Sequence, residues 1–286
     1  MSALEELGPV VGAGWLASRL GEVVVADVRW YLDGSSGHDA YLREHLPGAV
    51  WVDVDNDVSA APSVTGGRHP LPDPASFADR LGRIGIGDDD VVVAYDDQGG
   101  GFAARLVWLL RRIGQPAALL DGGLDGWPGA REAGAVVRPP VTRVARPWPP
   151  DLLRTANEAQ AAALAPGGVV LDARAHGRYT GEVALPGEVR TGHVPGAVSA
   201  PWAENLGADG LFLSPAELRE RYGALGVAEG RDAIVYCGSG VTACHDLIAL
   251  EHAGLPPAGL YAGSWSAWSA DPERPIVAGP SPGGPG

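Results

Sequence analysis

Near its C-terminal end the chain carries an apolar run, Ala233-Ile234-Val235-Tyr236, followed by Cys237-Gly238-Ser239-Gly240-Val241-Thr242. A stretch with helical spacing, VTACHDLIALEHAG, comes next. The order strand, glycine-bearing turn, helix sets a thiol in the positive field of a helix N-terminus. Two glycines let backbone N–H groups turn onto the sulfur. Such a place favours the thiolate, which is the nucleophilic form of cysteine. The plain alternative is a small buried residue, the commoner fate of an isolated cysteine, but the Gly-x-Gly beside Cys237 argues for chemistry. The other cysteine, Cys244, falls in register with Leu247 and Ile248 and reads as core. Seven helical positions span about 10 Å, too far for a disulfide without rearrangement. The spacing is unlike a zinc knuckle, and no metal or organic cofactor is expected.

The elements around this turn occur twice. VVVADVRW (23–30) pairs with GVVLDARA (168–175), each ending in Asp-x-Arg: Asp27 with Arg29, Asp172 with Arg174. REHLPGAV around His45 pairs with RTGHVPGAV around His193, and both histidines read as structural turn residues before Pro-Gly. DDDVVVAYDDQGGGFAARL pairs with GRDAIVYCGSGVTACHDL, and LLDGGLDGW with LYAGSWSAW. The offset is 141 both at Tyr95/Tyr236 (236 − 95) and at Trp127/Trp268 (268 − 127). Four ordered matches mark a duplicated domain. In the first copy the cysteine is replaced by Asp96, so that copy keeps the scaffold without the thiol. The Gly99-Gly100-Gly101 stretch aligns with the cysteine loop and lacks the full dinucleotide fingerprint.

Within each copy, short runs apolar on both faces alternate with helical patterns such as DPASFADRLGRIG and SPAELRERYGALG. This alternation predicts an α/β fold with a mostly parallel sheet covered on both faces. Ligands of such folds sit where strand C-termini meet helix N-termini, at the turns after Tyr95 and Tyr236. Residues 131–156 hold five prolines and read as an extended linker. The ending GPSPGGPG (279–286) reads as a mobile tail.

A net charge of −14 argues against nucleic acid and against anionic membranes as partners. The chain has no lysine, which removes P-loop and Schiff-base chemistry. No apolar run approaches the length of a membrane span, the N-terminus does not read as a signal peptide, and a free thiol suits the reducing cytoplasm.

These matches resemble the tandem rhodanese sulfurtransferases over residues 20–272. They comprise Asp172-Ala173-Arg174, Gly192-His193-Val194-Pro195-Gly196-Ala197, Cys237 to Thr242 and Gly263-Ser264-Trp265. The resemblance implies two tandem rhodanese-like domains: an inactive N-terminal one (1–130), a linker (131–156) and a catalytic one (157–278). It implies a Cys237 persulfide, held by the N–H groups of Gly238 to Thr242 with the hydroxyls of Ser239 and Thr242. It also implies an anion-binding Arg178, and a proton relay of Asp53 and His69 with Ser239. His69 reads equally as a surface-loop histidine. The second family arginine would stand at Pro186, so Arg190 is assigned as its substitute. The loop Cys-Gly-Ser-Gly-Val-Thr looks like the 3-mercaptopyruvate branch, and the donor stays open between that compound and thiosulfate. The implied partners are a small anionic sulfur donor and a thiol, thioredoxin or cyanide acceptor. The rival readings are a non-catalytic persulfide carrier or regulatory module and, more remotely, a phosphatase. The phosphatase reading needs Cys-x5-Arg, and Ala243 occupies the arginine's place.

Overall fold

The computed structural model describes residues 7–186, 188 and 190–283. The chain forms two compact units. The first takes in residues through Ala60, Pro72–Pro149 and Ala208–Phe212; the second takes in Ala61–Leu71, Pro150–Gly207 and the residues from Leu213 on.

In the first unit the elements run β1 (Val10–Val11), α1 (Ala13–Ala17), β2 (Val24–Asp27), α2 (Gly37–Arg43) and β3 (Val50–Trp51). They continue with α3 (Pro74–Ile84), β4 (Val92–Tyr95), α4 (Ala103–Arg112) and β5 (Ala117–Leu120). The strands pair in the order β1-β5-β4-β2-β3, all parallel. β2, β4 and β5 are buried at every position, as a sheet covered on both sides requires. Helix α3 starts where Asp73 accepts the Ser76 N–H and ends at left-handed Gly85.

In the second unit the elements are α5 (Ala156–Leu164), β6 (Gly168–Asp172), α6 (His176–Thr180), β7 (Val198–Ser199) and α7 (Pro215–Ala224). β8 (Asp232–Tyr236), α8 (Ala243–His252), β9 (Gly259–Leu260) and α9 (Ser264–Trp268) complete it. Its sheet, β7-β6-β8-β9, is also parallel throughout. Thr155 and Ser214 close capping boxes with Glu158 and Glu217, which fixes where α5 and α7 begin.

The Asp-x-Arg pairs are structural in both copies. Asp172 takes Arg174 through both carboxylate oxygens, and the same guanidinium donates to the Gly192 carbonyl and lies 4.4 Å from the Trp265 ring. Asp27 holds Arg29 in the same way. His45 and His193 are fully buried and bond to backbone carbonyls.

Three expectations differ from the observed units. Ala61–Leu71 clusters with the second unit rather than the first, because its partners lie there: the Arg68 N–H donates to Ser266 Oγ at 3.0 Å. The expected linker (131–156) is divided between the units after Pro149, and its proline-rich part, without helix or strand over 133–149, is held against the first unit. Arg143 donates to the carbonyls of Ile86 and Gly87 and to Gln115, and Trp148 packs on Phe77 and donates to Pro72. The expected tail is bonded as far as it is described, since the Gly196 N–H donates to the Pro282 carbonyl and the Gly279 N–H to Thr180. Its last three positions lie outside the described residues.

Candidate active site

Cys237 sits at the C-terminal end of β8, 1 % exposed. The chain then turns through the loop into α8. At Gly240 the backbone is left-handed, with φ of +80°, and a Cβ would stand 2.5 Å from the Ala262 carbonyl. Only glycine fits there. This conformation aims the Gly240 N–H at Cys237 Sγ, 3.1 Å away. On the other side, Cys244 Sγ donates to the Gly240 carbonyl at 3.4 Å, so the second cysteine is buried support for the loop. Both cysteines are free thiols. Val241, buried, accepts the Cys244 N–H, and Thr242 forms the N-cap position of α8.

The loop's neighbours come from distant parts of the sequence. His69 Nδ1 lies 2.7 Å from Ser239 Oγ, and both side chains are buried. Two guanidinium groups flank Gly238. A Cβ placed on that glycine would be 3.2 Å from Arg68 Nη2 and 3.2 Å from Arg178 Nη1. Their Nε atoms are buried without a hydrogen-bond partner. Any side chain at position 238 would crowd this cationic corner, so the glycine keeps it open. Arg178 Nη2 is paired at 2.5 Å with Glu188 Oε1, while Glu188 Oε2 accepts the Leu185 N–H.

Of the residues singled out in the sequence, the second unit gathers Cys237, Gly238, Ser239, Gly240, Val241, Thr242, His69 and Arg178. Asp53 belongs to the first unit, where its carboxylate accepts the N–H groups of Asp55 and Asn56 and the Asn56 amide. Arg190 is not the second guanidinium at the loop. It donates to the carbonyls of Asp271 and Arg274 at 2.7 and 2.6 Å, which spends it on holding the segment after α9. Arg68 takes that place. Sequence reasoning misses Arg68 because it lies in the first repeat, 169 positions before Cys237 (237 − 68). Its one available signal is that it adjoins His69 in Gly67-Arg68-His69-Pro70.

The first copy shows what the same loop does without sulfur. Asp96 is fully buried and accepts four backbone N–H groups, from Gln98, Gly100, Phe102 and Ala103, at 2.8 to 3.0 Å. Burial pushes its carboxyl above the ordinary range against the pull of these donors. The turn is therefore a cradle for acceptor atoms in both copies.

The rhodanese-like domain family matches twice, at residues 12–130 and 155–271. The chain is 46% identical over 276 residues to a probable 3-mercaptopyruvate sulfurtransferase of Pseudomonas aeruginosa, covering 92% of this chain and 96% of that protein. It is 34% identical to a thiosulfate sulfurtransferase of Bos taurus, with 94% and 95% covered. Among solved structures, SseA of Escherichia coli, described as a 3-mercaptopyruvate sulfurtransferase with the rhodanese fold, superposes with a TM-score of 0.79 at 32% identity. That match covers 91% of this chain and 99% of that one.

Proposed function

The chain belongs to the tandem rhodanese sulfurtransferase family, and we propose that Cys237 carries the transferred sulfur, with 3-mercaptopyruvate as the preferred donor. The observation that carries the reading is the Cys237 sulfur facing the Gly240 N–H, beside Gly238 with its two guanidinium groups.

The donor's carboxylate binds at Arg68 and Arg178, which brings its sulfur to Cys237. The thiolate attacks that sulfur, an Sγ–S bond forms and the donor's C–S bond breaks. The departing electron pair leaves as the enolate of pyruvate, whose carbon needs a proton. The His69–Ser239 hydrogen bond supports a route for that proton. Thiosulfate would leave as sulfite and needs no such proton, which is why the buried His–Ser pair favours 3-mercaptopyruvate. In the second step a nucleophilic acceptor (cyanide, a low-molecular-weight thiol or a thioredoxin-like dithiol) attacks the outer sulfur and releases the Cys237 thiolate. This is two-step covalent catalysis.

Two free thiols suit a reducing compartment, and we place the protein in the cytoplasm. Among the described residues no helix is long and apolar enough to cross a membrane.

The test is thiocyanate formation from cyanide with each donor, for the wild type and for Cys237→Ser. The reading expects turnover with 3-mercaptopyruvate above that with thiosulfate, abolished in the variant. Turnover that survives Cys237→Ser, or its absence with both donors, would overturn it; the latter outcome would leave a persulfide carrier.

A further inference from the structure

Ser264 is the only non-glycine residue with a positive φ among the described residues, at +51°. It is fully buried. Left-handed backbone penalises any residue with a Cβ, and such strain persists where the surroundings impose it, often beside a reacting group.

The duplicated sequence supplies the contrast. Subtracting the repeat offset of 141 from 264 gives position 123, which is Gly123. Its φ is +54°, and a Cβ there would stand 2.3 Å from the Asp96 carbonyl. The two turns do the same backbone work: Leu124 N–H donates to the Asp96 carbonyl at 2.9 Å, and Trp265 N–H donates to the Cys237 carbonyl at 3.0 Å. The copy without a nucleophile makes this turn with a glycine. The copy with the nucleophile makes it with a serine, in a conformation that disfavours serine.

What the serine adds is its hydroxyl. In a parallel pair, the residue after β8 would donate its N–H to the carbonyl of the β9 neighbour. Tyr261 N–H bonds to the Val235 carbonyl, so the next rung would join Cys237 N–H to the Tyr261 carbonyl. Instead the Ser264 hydroxyl is inserted in that rung. Its oxygen accepts the Cys237 N–H at 3.1 Å, and its hydrogen is donated to the Tyr261 carbonyl at 2.9 Å. The rung is lengthened by one hydroxyl, its polar groups stay satisfied, and Cys237 departs from the sheet into the loop. Ser266 N–H, donating to the Gly238 carbonyl at 2.9 Å, holds the next residue of the loop.

We propose that Ser264 is a positioning residue for the nucleophile, its hydroxyl spliced into the last rung between β8 and β9 to set the direction in which Cys237 leaves the sheet. Without the hydroxyl, Cys237 either closes directly onto Tyr261 or loses its N–H partner, and its sulfur moves off the Gly240 N–H.

The proposal rests on Cys237 as nucleophile, and its test includes a readout that needs no donor. Ser264→Gly and Ser264→Ala are prepared in the full chain. For each we would measure kcat per titrated thiol, KM for 3-mercaptopyruvate, the rate of Cys237 alkylation by iodoacetamide at fixed pH, and Tm. A mispositioned reacting group lowers the rate rather than binding, so kcat and alkylation should fall about tenfold with KM within about twofold. Tm should hold or rise in Ser264→Gly, because glycine accepts the left-handed turn; a residue that only supports the fold would lose Tm and activity together. If Ser264→Ala does not fold, the glycine variant decides. Wild-type kcat and alkylation in Ser264→Gly would overturn the proposal, as would a fall in Tm with the alkylation rate of the folded protein unchanged. An absence of Cys237-dependent turnover in the wild type would count against the reading of function, while the alkylation rates would still judge Ser264.

Discussion

The two loops that follow β4 and β8 descend from one sequence and now differ at the positions that decide chemistry. In the second, Cys237 is followed by Gly238, with the guanidinium groups of Arg68 and Arg178 close by. In the first, Asp96 is followed by Asp97, whose carboxylate accepts the Tyr31 hydroxyl at 2.6 Å and lies 4.0 Å from Arg29. Where one copy has a thiol beside two guanidinium groups, the other has two carboxylates. Asp96 fills its own cradle with four N–H donors, so the first loop is closed by a built-in acceptor. The fold supplies the cradle, and the residue at its mouth determines whether it serves chemistry or stability.

The largest expected effects test this contrast directly. Cys237→Ser should remove sulfur transfer altogether, because the hydroxyl is a poor nucleophile near neutral pH. Asp96→Cys should leave the Cys237→Ser background inactive in a thiocyanate assay, since Asp97 stands where Gly238 gives room to the guanidinium groups; turnover regained there would show that the loop alone suffices. Asp96→Ala removes the acceptor of four N–H groups at a buried position. It should cost about 3 kcal/mol or more of stability by urea denaturation, with activity per folded molecule kept.

A smaller effect concerns Asp246 on α8. Burial raises its carboxyl to about 7, although Asn205 donates to it at 2.8 Å. The unfolded chain releases this proton near pH ~4. The folded chain keeps it until about pH 7, so stability falls as pH rises across that window and levels off above it. Asp246→Asn should remove this slope, raising Tm relative to the wild type at about pH 8 and much less at about pH 4. An unaltered difference between the two pH values would show that the carboxyl is not the source. The smallest effect is at Glu188. At the donor site proposed above, its ion pair with Arg178 would compete with the donor's carboxylate, so Glu188→Gln should lower KM for 3-mercaptopyruvate severalfold with kcat nearly unchanged. An unchanged KM would mean that the donor does not use Arg178.

Much of this was legible in the sequence for physical reasons. The duplicated strand, turn and helix pattern follows local rules, and the thiol in a glycine loop at a helix start is a local signal as well. The pairing of His69 with Ser239 became readable only through family resemblance, since the two lie 170 positions apart. The second guanidinium shows the limit. Arg190 sits beside the expected place in the chain, but its donors are drawn to the carbonyls of Asp271 and Arg274, while Arg68 arrives from the first repeat. Sequence proximity is a poor guide to which long side chain reaches a site. Glu188 carries no sequence signal, being a tertiary ion pair, and while the repeat sets Ser264 opposite Gly123, its left-handed backbone and its bond to Cys237 appear only in the fold.

The most direct test of the central claim is the mass of the protein after brief exposure to 3-mercaptopyruvate without an acceptor, followed by peptide mapping. The account predicts one added sulfur on the peptide at Cys237, discharged by cyanide and absent from Cys237→Ser. Sulfur found on Cys244 instead, or added equally to the variant, would contradict it.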